Sequence, residues 1–192
     1  MNTLIIYAHP GTDGHCSFIL QHVLQELDAK KISYELLDLY AIDYDPILSR
    51  EELYTSGNRH ISETTKELQH KIKIAKNLIL IYPTWWGGPP AILKGFFDKV
   101  FTPRFAFKFN KYGIPLKLLK GKRAALFITS GTQVLLSRIF QGGRPYKSVK
   151  NDVLEFSGIK TKAFQTGSTN SKKDKRKKAM LRNVKKGLNW LY

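Results

Sequence analysis

A single cysteine, Cys16, stands among 192 residues, which excludes an internal disulfide framework and any metal cluster of the CxxC kind. Five histidines, His9, His15, His22, His60 and His70, show no HExxH-type spacing, so no metal site is expected. No apolar run approaches the roughly 20 residues needed to cross a bilayer. The opening MNTLIIYAHP lacks a basic leader and a cleavage site and reads as a strand, which makes a cytoplasmic location the expectation. No repeat or linker divides the chain, and its length suits one domain over residues 1–192. Acidic residues are scarce in the second half: residues 1–93 carry 8 basic and 11 acidic side chains, whereas 94–192 carry 24 basic and 4 acidic. The resulting net charge of +17 favours phosphate-bearing ligands, acidic partners, nucleic acid or an anionic membrane surface without choosing among them.

What is present centres on residues 77–104, NLILIYPTWWGGPPAILKGFFDKVFTPR. The short apolar run Leu78–Tyr82 suits a strand buried on both faces, as in a parallel sheet. Pro83, Thr84, Trp85, Trp86, Gly87, Gly88, Pro89 and Pro90 break it into a loop. Ile92, Phe96 and Val100 then recur at helical spacing, with Pro90 suited to a first turn. In open parallel sheets the loops after strand carboxyl ends line the ligand crevice. Two adjacent tryptophans there read either as cover for the core or as a flat apolar wall with free amides, suited to a planar heterocycle such as a flavin.

Leu4–Ala8 reads as a first buried strand ending at His9. Turn chemistry follows through Cys16, with Ser17 at the expected N-cap of a helix whose apolar face is Ile19, Val23, Leu24 and Leu27. Strand, loop and helix N-terminus together form a common phosphate cradle, here without a Walker lysine or GxGxxG. Tyr34–Leu39 reads as a second strand; Asp38 near its end with Asp43 and Asp45 beyond it could suggest a metal but read as a solvated acidic loop. Thr64 and Glu67 have capping-box spacing ahead of a crossover helix carrying Leu68, Ile72 and Ala75. Right-handed crossovers then predict strand order 2-1-3-4-5, with the reversal beside His9 and the Trp85 loop.

The segment TPRFAFKFNKYG mixes aromatic and basic residues, a pattern that serves single-stranded nucleic acid or a hairpin rim. Lys122–Ser130 reads as the fourth strand, delivering Thr129, Ser130, Gly131 and Thr132 to the same sheet edge. Thr161–Thr166 reads as a fifth, edge strand. Ser171 is the expected cap of a last helix with Met180, Val184, Leu188 and Leu191 on its buried face. Lys172, Lys173, Lys175, Arg176, Lys177 and Lys178 crowd its first turns, a solvated basic face or a dock for an acidic protein or anionic membrane surface.

The strand end Tyr82–Pro83, the run WWGGPPAILKGFFDKVF from Trp85 to Phe101 and the first-strand ending YAHP resemble the NAD(P)H:quinone oxidoreductases of the flavodoxin-like fold. The likeness is strongest up to about Thr132. It implies an α/β fold, a doubly wound five-stranded parallel sheet with helices on both faces. It also implies bound FMN, with FAD as the other flavin of the family, and NADPH or NADH as electron donor to a quinone or similar small acceptor. By the same resemblance His9, Ser17 and Phe18 hold the flavin phosphate. Pro83, Thr84, Trp85, Trp86 and Gly87 meet the ring, with the amides of Trp85, Trp86 and Gly87 stabilising charge on it, and Thr129, Ser130 and Gly131 hold its other edge. A homodimer with sites shared between chains is implied too, and the hairpin rim is preferred over nucleic-acid binding. Thr132 replaces the second glycine of a TTGG-like turn. QVLLSRIFQGG offers neither the tyrosine nor the histidine that assists hydride transfer in some members, so no catalytic side chain is assigned. That departure leaves a second reading, a flavodoxin-like regulatory subunit with little turnover that docks through its basic half.

Overall fold

The computed structural model describes residues 2–54, 60–140, 142–167 and 173–192. Its centre is a five-stranded sheet built from β1 (Thr3–Tyr7), β2 (Tyr34–Asp38), β3 (Asn77–Pro83), β6 (Arg123–Thr129) and β7 (Lys160–Thr166). The strands lie in the order β2-β1-β3-β6-β7, every neighbour pair parallel. This is the expected 2-1-3-4-5 order, with β4 (Phe107–Phe109) and β5 (Pro115–Lys117) forming a separate antiparallel hairpin before the fourth sheet strand. The aromatic and basic rim is thus a hairpin.

Both faces of the sheet are covered because its central strands are apolar on both sides, and all seven residues of β3 are buried. Alternate residues point to opposite faces. Leu4, Leu78, Leu80 and Leu126 meet α2 (Glu63–Ile74), α3 (Ala91–Val100) and the helix over Ser148–Glu155, which is wound as a π-helix. Ile5, Ile79, Ile81 and Phe127 meet α1 (His15–Ala29) and α6 (Lys173–Leu191). Met180, Val184, Leu188 and Leu191 form the buried stripe of α6.

Several element boundaries differ from the sequence expectation. α1 begins at His15 with Gly14 as N-cap, at φ 93°, a backbone value that glycine reaches without a Cβ penalty. Ser17 is therefore not the cap but a first-turn residue, and its hydroxyl donates to the Thr12 carbonyl at 2.7 Å. α2 begins earlier than Thr64: Ser62 is its N-cap and accepts from the Thr65 amide at 3.3 Å, so a serine two residues upstream supplants the Thr64 and Glu67 box. Pro90 sits at the N-cap of α3 and not within its first turn. Two short helices, α4 (Val134–Phe140) and α5 (Arg144–Lys147), run into the π-helix. Ser171 and Lys172 lie outside the described residues.

Close packing fixes the layers. α3 meets the chain at Pro46 so closely that a Cβ on Gly95 would lie 2.1 Å from the Pro46 carbonyl oxygen. Lys99 secures the same segment, donating to the carbonyls of Asp45 at 3.2 Å and Ile47 at 3.0 Å, with the Glu52 carboxylate at 3.4 Å. At the amino end of β6, the Lys122 ammonium donates to the carbonyls of Lys73 at 2.7 Å and Ala75 at 2.6 Å. Those carbonyls close α2, where a cation is favourable, and burial pulls the Lys122 pKa below the usual lysine range. Arg123 next to it donates to the Trp190 carbonyl on α6 at 3.1 Å, and its guanidinium lies 5.2 Å from the Trp190 ring centroid. Lys162 covers the same ring at 4.0 Å.

Candidate functional site

The carboxyl ends of β1, β3 and β6 converge at the point where the strand order reverses, the crevice that α/β sheets use for ligands. Three loops meet there. The first runs from His9 to Gly14. The Gly11 amide donates to His9 Nδ1 at 2.9 Å; the Gly11 carbonyl is 3.1 Å from the same nitrogen. The N–H can only donate, so Nδ1 accepts and the ring proton sits on Nε2, leaving that nitrogen as donor. The Tyr7 hydroxyl donates to the Gly11 carbonyl at 3.3 Å. His15, Cys16 and Ser17 occupy the first turn of α1, where amides have no carbonyl of their own helix to meet. The Phe18 amide is already used, donating to Gly14 at 3.0 Å. The Phe18 ring lies tilted against that of His22, the centroids 4.1 Å apart.

Arg176 adds a cation to this end. It is buried, and its guanidinium lies 2.9 Å from His15 Nε2. Burial first, then the Arg176 charge, holds His15 below the usual histidine range. α6 thus brings one residue of its basic cluster to the start of α1, a role that the sequence did not single out. Nothing local marks Arg176 among its basic neighbours; only the register of the α6 stripe, four residues before Met180, places it on the inner face.

The second loop turns at Trp86. Trp85 and Gly88 exchange amide-to-carbonyl bonds at 3.0 Å in each direction, with Trp86 at φ 49° and Gly87 at φ 77° between them. Two consecutive left-handed residues define a type I′ turn, for which glycine is suited and tryptophan is not. The expected free amide of Trp85 is therefore consumed within the turn, because the chain reverses too tightly to leave it open; those of Trp86 and Gly87 lie at its tip. The Trp86 side chain is 106% exposed, so packing does not explain its place in a conformation costing about 1–2 kcal/mol. Trp85 is also exposed, though less than Trp86, and lies beside His9 with the ring centroids 6.3 Å apart.

The third loop follows β6. Thr129 accepts from the Thr84 amide at 2.7 Å, which locks the second loop to the third. Its hydroxyl lies 3.3 Å from the buried Cys16 sulfur, which ties the first loop to both. Burial pushes the Cys16 thiol up to about 11, with the Thr129 contact acting in the other direction. The Ser130 hydroxyl donates to the Thr132 carbonyl at 2.9 Å.

Thr84, Trp86, Gly87, Ser130, Gly131 and Arg144 line a cleft of ≈ 490 Å³, with Thr132 on its rim. Pro83 is buried beneath it as the last residue of β3. Thr84 Oγ1 is buried without a hydrogen-bond partner among the described residues, a state that costs about 1–3 kcal/mol unless a ligand satisfies it. Polar edges against an indole face, an orphaned hydroxyl and a donor-rich loop fit a planar heterocycle carrying a phosphate. Arg144 is a lining residue that the sequence reading missed. The GGRP turn at Gly142–Pro145 marks a helix start there, but nothing local directs it toward Trp86.

Comparison with known proteins agrees with this arrangement. Residues 1–188 match the family described as flavodoxin-like fold. An uncharacterized NAD(P)H oxidoreductase of Haemophilus influenzae is 33% identical over 184 residues, covering 94% of this chain and 91% of that protein. The human ribosyldihydronicotinamide dehydrogenase (quinone) is 29% identical over 145 residues, 67% of this chain and 62% of its own. An FMN-dependent NADH-azoreductase of Bacillus anthracis, solved with FMN, shares the fold at a TM-score of 0.85 with 22% identity, each chain covered 100%. Sheet order, three-loop crevice and sequence likeness converge, and the chain belongs to the flavodoxin-like fold family, in the group that contains the NAD(P)H:quinone oxidoreductases.

Proposed function

We propose that this protein is a flavin-dependent NAD(P)H oxidoreductase that reduces quinones or similar small acceptors. The observation that carries the proposal is the turn at Trp86, a costly left-handed tryptophan held in the open beside a cleft with an unsatisfied threonine hydroxyl. Strained residues of this kind cluster at active sites and ligand clamps. FMN, when bound, would accept hydride from NADH or NADPH and deliver the reducing equivalents to the acceptor. FMN is the flavin named for the Bacillus anthracis azoreductase of like fold.

The chain's own residues supply binding and electrostatics. His9 through Nε2–H, the first-turn amides of Cys16 and Ser17, and Arg176 hold the phosphate. Thr84 Oγ1 and the amides at Trp86 and Gly87 meet one polar edge of the ring; Ser130 and Gly131 meet the other. Preorganised amides of this kind favour negative charge without reorganising. No protein nucleophile is needed. We read the chain as a homodimer whose partner closes the cleft, a reading supported by Leu135, Leu136 and Ile139, which stand exposed on α4; sedimentation at micromolar concentration measures it, and a monomer there refutes it.

The test is an absorption spectrum of the protein reconstituted with FMN and mixed anaerobically with NADPH or NADH. Bleaching of the flavin band, reversed by a quinone, is the expected result. Flavin binding without bleaching selects the regulatory-subunit reading, and failure to bind FMN or FAD removes the assignment.

A further inference from the structure

A second cleft of ≈ 590 Å³ opens on the far side of the Trp86 turn and shares Trp86, Gly87 and Arg144 with the first. Its floor is apolar, formed by Pro89, Phe97, Val149 and Val153. Its rim carries Lys94, Arg144 and Lys147, with Asp152 as the acidic residue lining it. Lys94 is engaged by Asp98 at 2.6 Å. Arg144 and Lys147 have no ion-pair partner among the described residues. Both are exposed.

The local fold aims these two cations together. Gly143 caps α5 at φ 73°, and a Cβ there would come within 2.9 Å of the Tyr146 ring. The positive φ favours glycine there, and the Tyr146 ring lies close against it. Tyr146 packs against the core, which anchors the short helix from below. Arg144 and Lys147 are three residues apart, hence neighbours on one helical face. The π-helix follows at once and presents Val149 and Val153, a helical turn apart, to the same cleft. An apolar shelf with two unpaired cations, continuous with a site for a planar ring, suits a ligand that carries an aromatic or sugar portion and phosphate groups.

We infer that this second cleft holds the nucleotide half of the pyridine-dinucleotide donor, with Arg144 and Lys147 pairing its phosphates and the apolar floor taking its adenosine portion. The assignment rests on the oxidoreductase reading of the first cleft and adds to it the determinant of donor recognition. Arg144, on the border of both clefts, stands where the nicotinamide end and the phosphate end of one extended ligand diverge. Charge-assisted pairs to phosphate are the strong class of hydrogen bond, and arginine provides them in bidentate form.

The experiment compares R144A/K147A with wild type and with K111A/K185A, which removes the same charge from two exposed lysines elsewhere. Three readouts are taken: kcat/KM with NADPH and NADH, kcat/KM with N-benzyl-1,4-dihydronicotinamide, a hydride donor without phosphates, and calorimetric binding of adenosine 2′,5′-bisphosphate. R144A/K147A should lose about tenfold or more in kcat/KM with the dinucleotides beyond any loss with the phosphate-free donor. It should weaken bisphosphate binding by a similar factor, while K111A/K185A does neither. A loss confined to NADPH assigns the pair to the 2′-phosphate, and an equal loss with NADH assigns it to the pyrophosphate; both uphold the site. Equal losses with all donors, unaltered bisphosphate binding, or an equal effect of K111A/K185A overturn it. If wild type reduces no flavin, the oxidoreductase reading fails, and bisphosphate binding still decides the phosphate site on its own.

Discussion

The substitution Trp86→Asn separates what the turn costs the fold from what it gives the site. Trp86 has φ 49° and a fully exposed side chain, so its replacement forfeits no burial in the unliganded protein. A left-handed L-residue costs about 1–2 kcal/mol, and asparagine recovers part of that by bonding locally to its own backbone. The unliganded variant should gain about 0.5–1 kcal/mol. In a chain of 192 residues this corresponds to a rise of about 1–4 °C in Tm. Flavin affinity should move the other way. An aromatic face stacked on a heterocycle contributes about 1–3 kcal/mol, so FMN should bind about 5- to 150-fold more weakly. Urea unfolding of apoprotein at fixed pH gives the first quantity, and quenching of FMN fluorescence on titration gives the second. The two changes must have opposite signs. A destabilised apo variant would show that Trp86 is a packing residue, and undiminished FMN affinity would show that the tryptophan is not part of the cleft's function.

Other parts of the structure yield expectations of their own. Gly95→Ala drives a Cβ to 2.1 Å from the Pro46 carbonyl oxygen, a backbone atom that no rotamer change moves; chemical denaturation should show a loss of about 3 kcal/mol or more. Lys99→Met strips the nearly buried Glu52 carboxylate and the carbonyls of Asp45 and Ile47 of their cation, which should cost about 3 kcal/mol in the same assay; an unchanged midpoint would mean that the lysine is dispensable. Cys16 supplies a pH test. Its folded pKa, pushed up to about 11 from 9.0, lies above the unfolded one. Its stabilising contribution is complete below about pH 9 and is lost as pH rises toward about 11. Integrated, the loss is about 2–3 kcal/mol. Cys16→Ser should flatten that portion of the stability profile, and an identical decline in both proteins would refute it.

The sheet was legible because continuous apolar runs such as Leu78–Tyr82 have one economical use in a chain of this kind, and the crossover rule then orders them. The three loops of the crevice were legible for the same reason, since strand ends deliver them to one edge: His9, Thr84, Trp86 and Ser130 all stand there. Finer assignments depended on backbone detail that residue types do not fix. Ser17 looks like a cap, but Gly14 reaches φ 93° and starts the helix first, which turns the serine hydroxyl back to Thr12. Trp85 and Trp86 look alike in sequence. The exchange of bonds between Trp85 and Gly88 spends one amide and leaves the other at the tip. Arg144 and Arg176 were not legible because their positions are set by long-range packing, of Tyr146 against the core and of α6 against α1.

The cations at the base of β6 have a bearing on motion. Lys122 holds the closing carbonyls of α2 on one side of the sheet, and Arg123 holds Trp190 of α6 on the other. Adjacent residues of one strand thereby rivet both helical layers at the edge opposite the crevice. Opening fluctuations should accordingly be graded along the strands, scarce at the riveted margin and concentrated toward the loops. Amide hydrogen exchange in β6 should quicken from Ala124 to Thr129, and a ligand entering the crevice would damp the fast end while leaving the slow end as it was. On that pattern a flat molecule would enter at the loop end of the sheet without loosening the core that supports it.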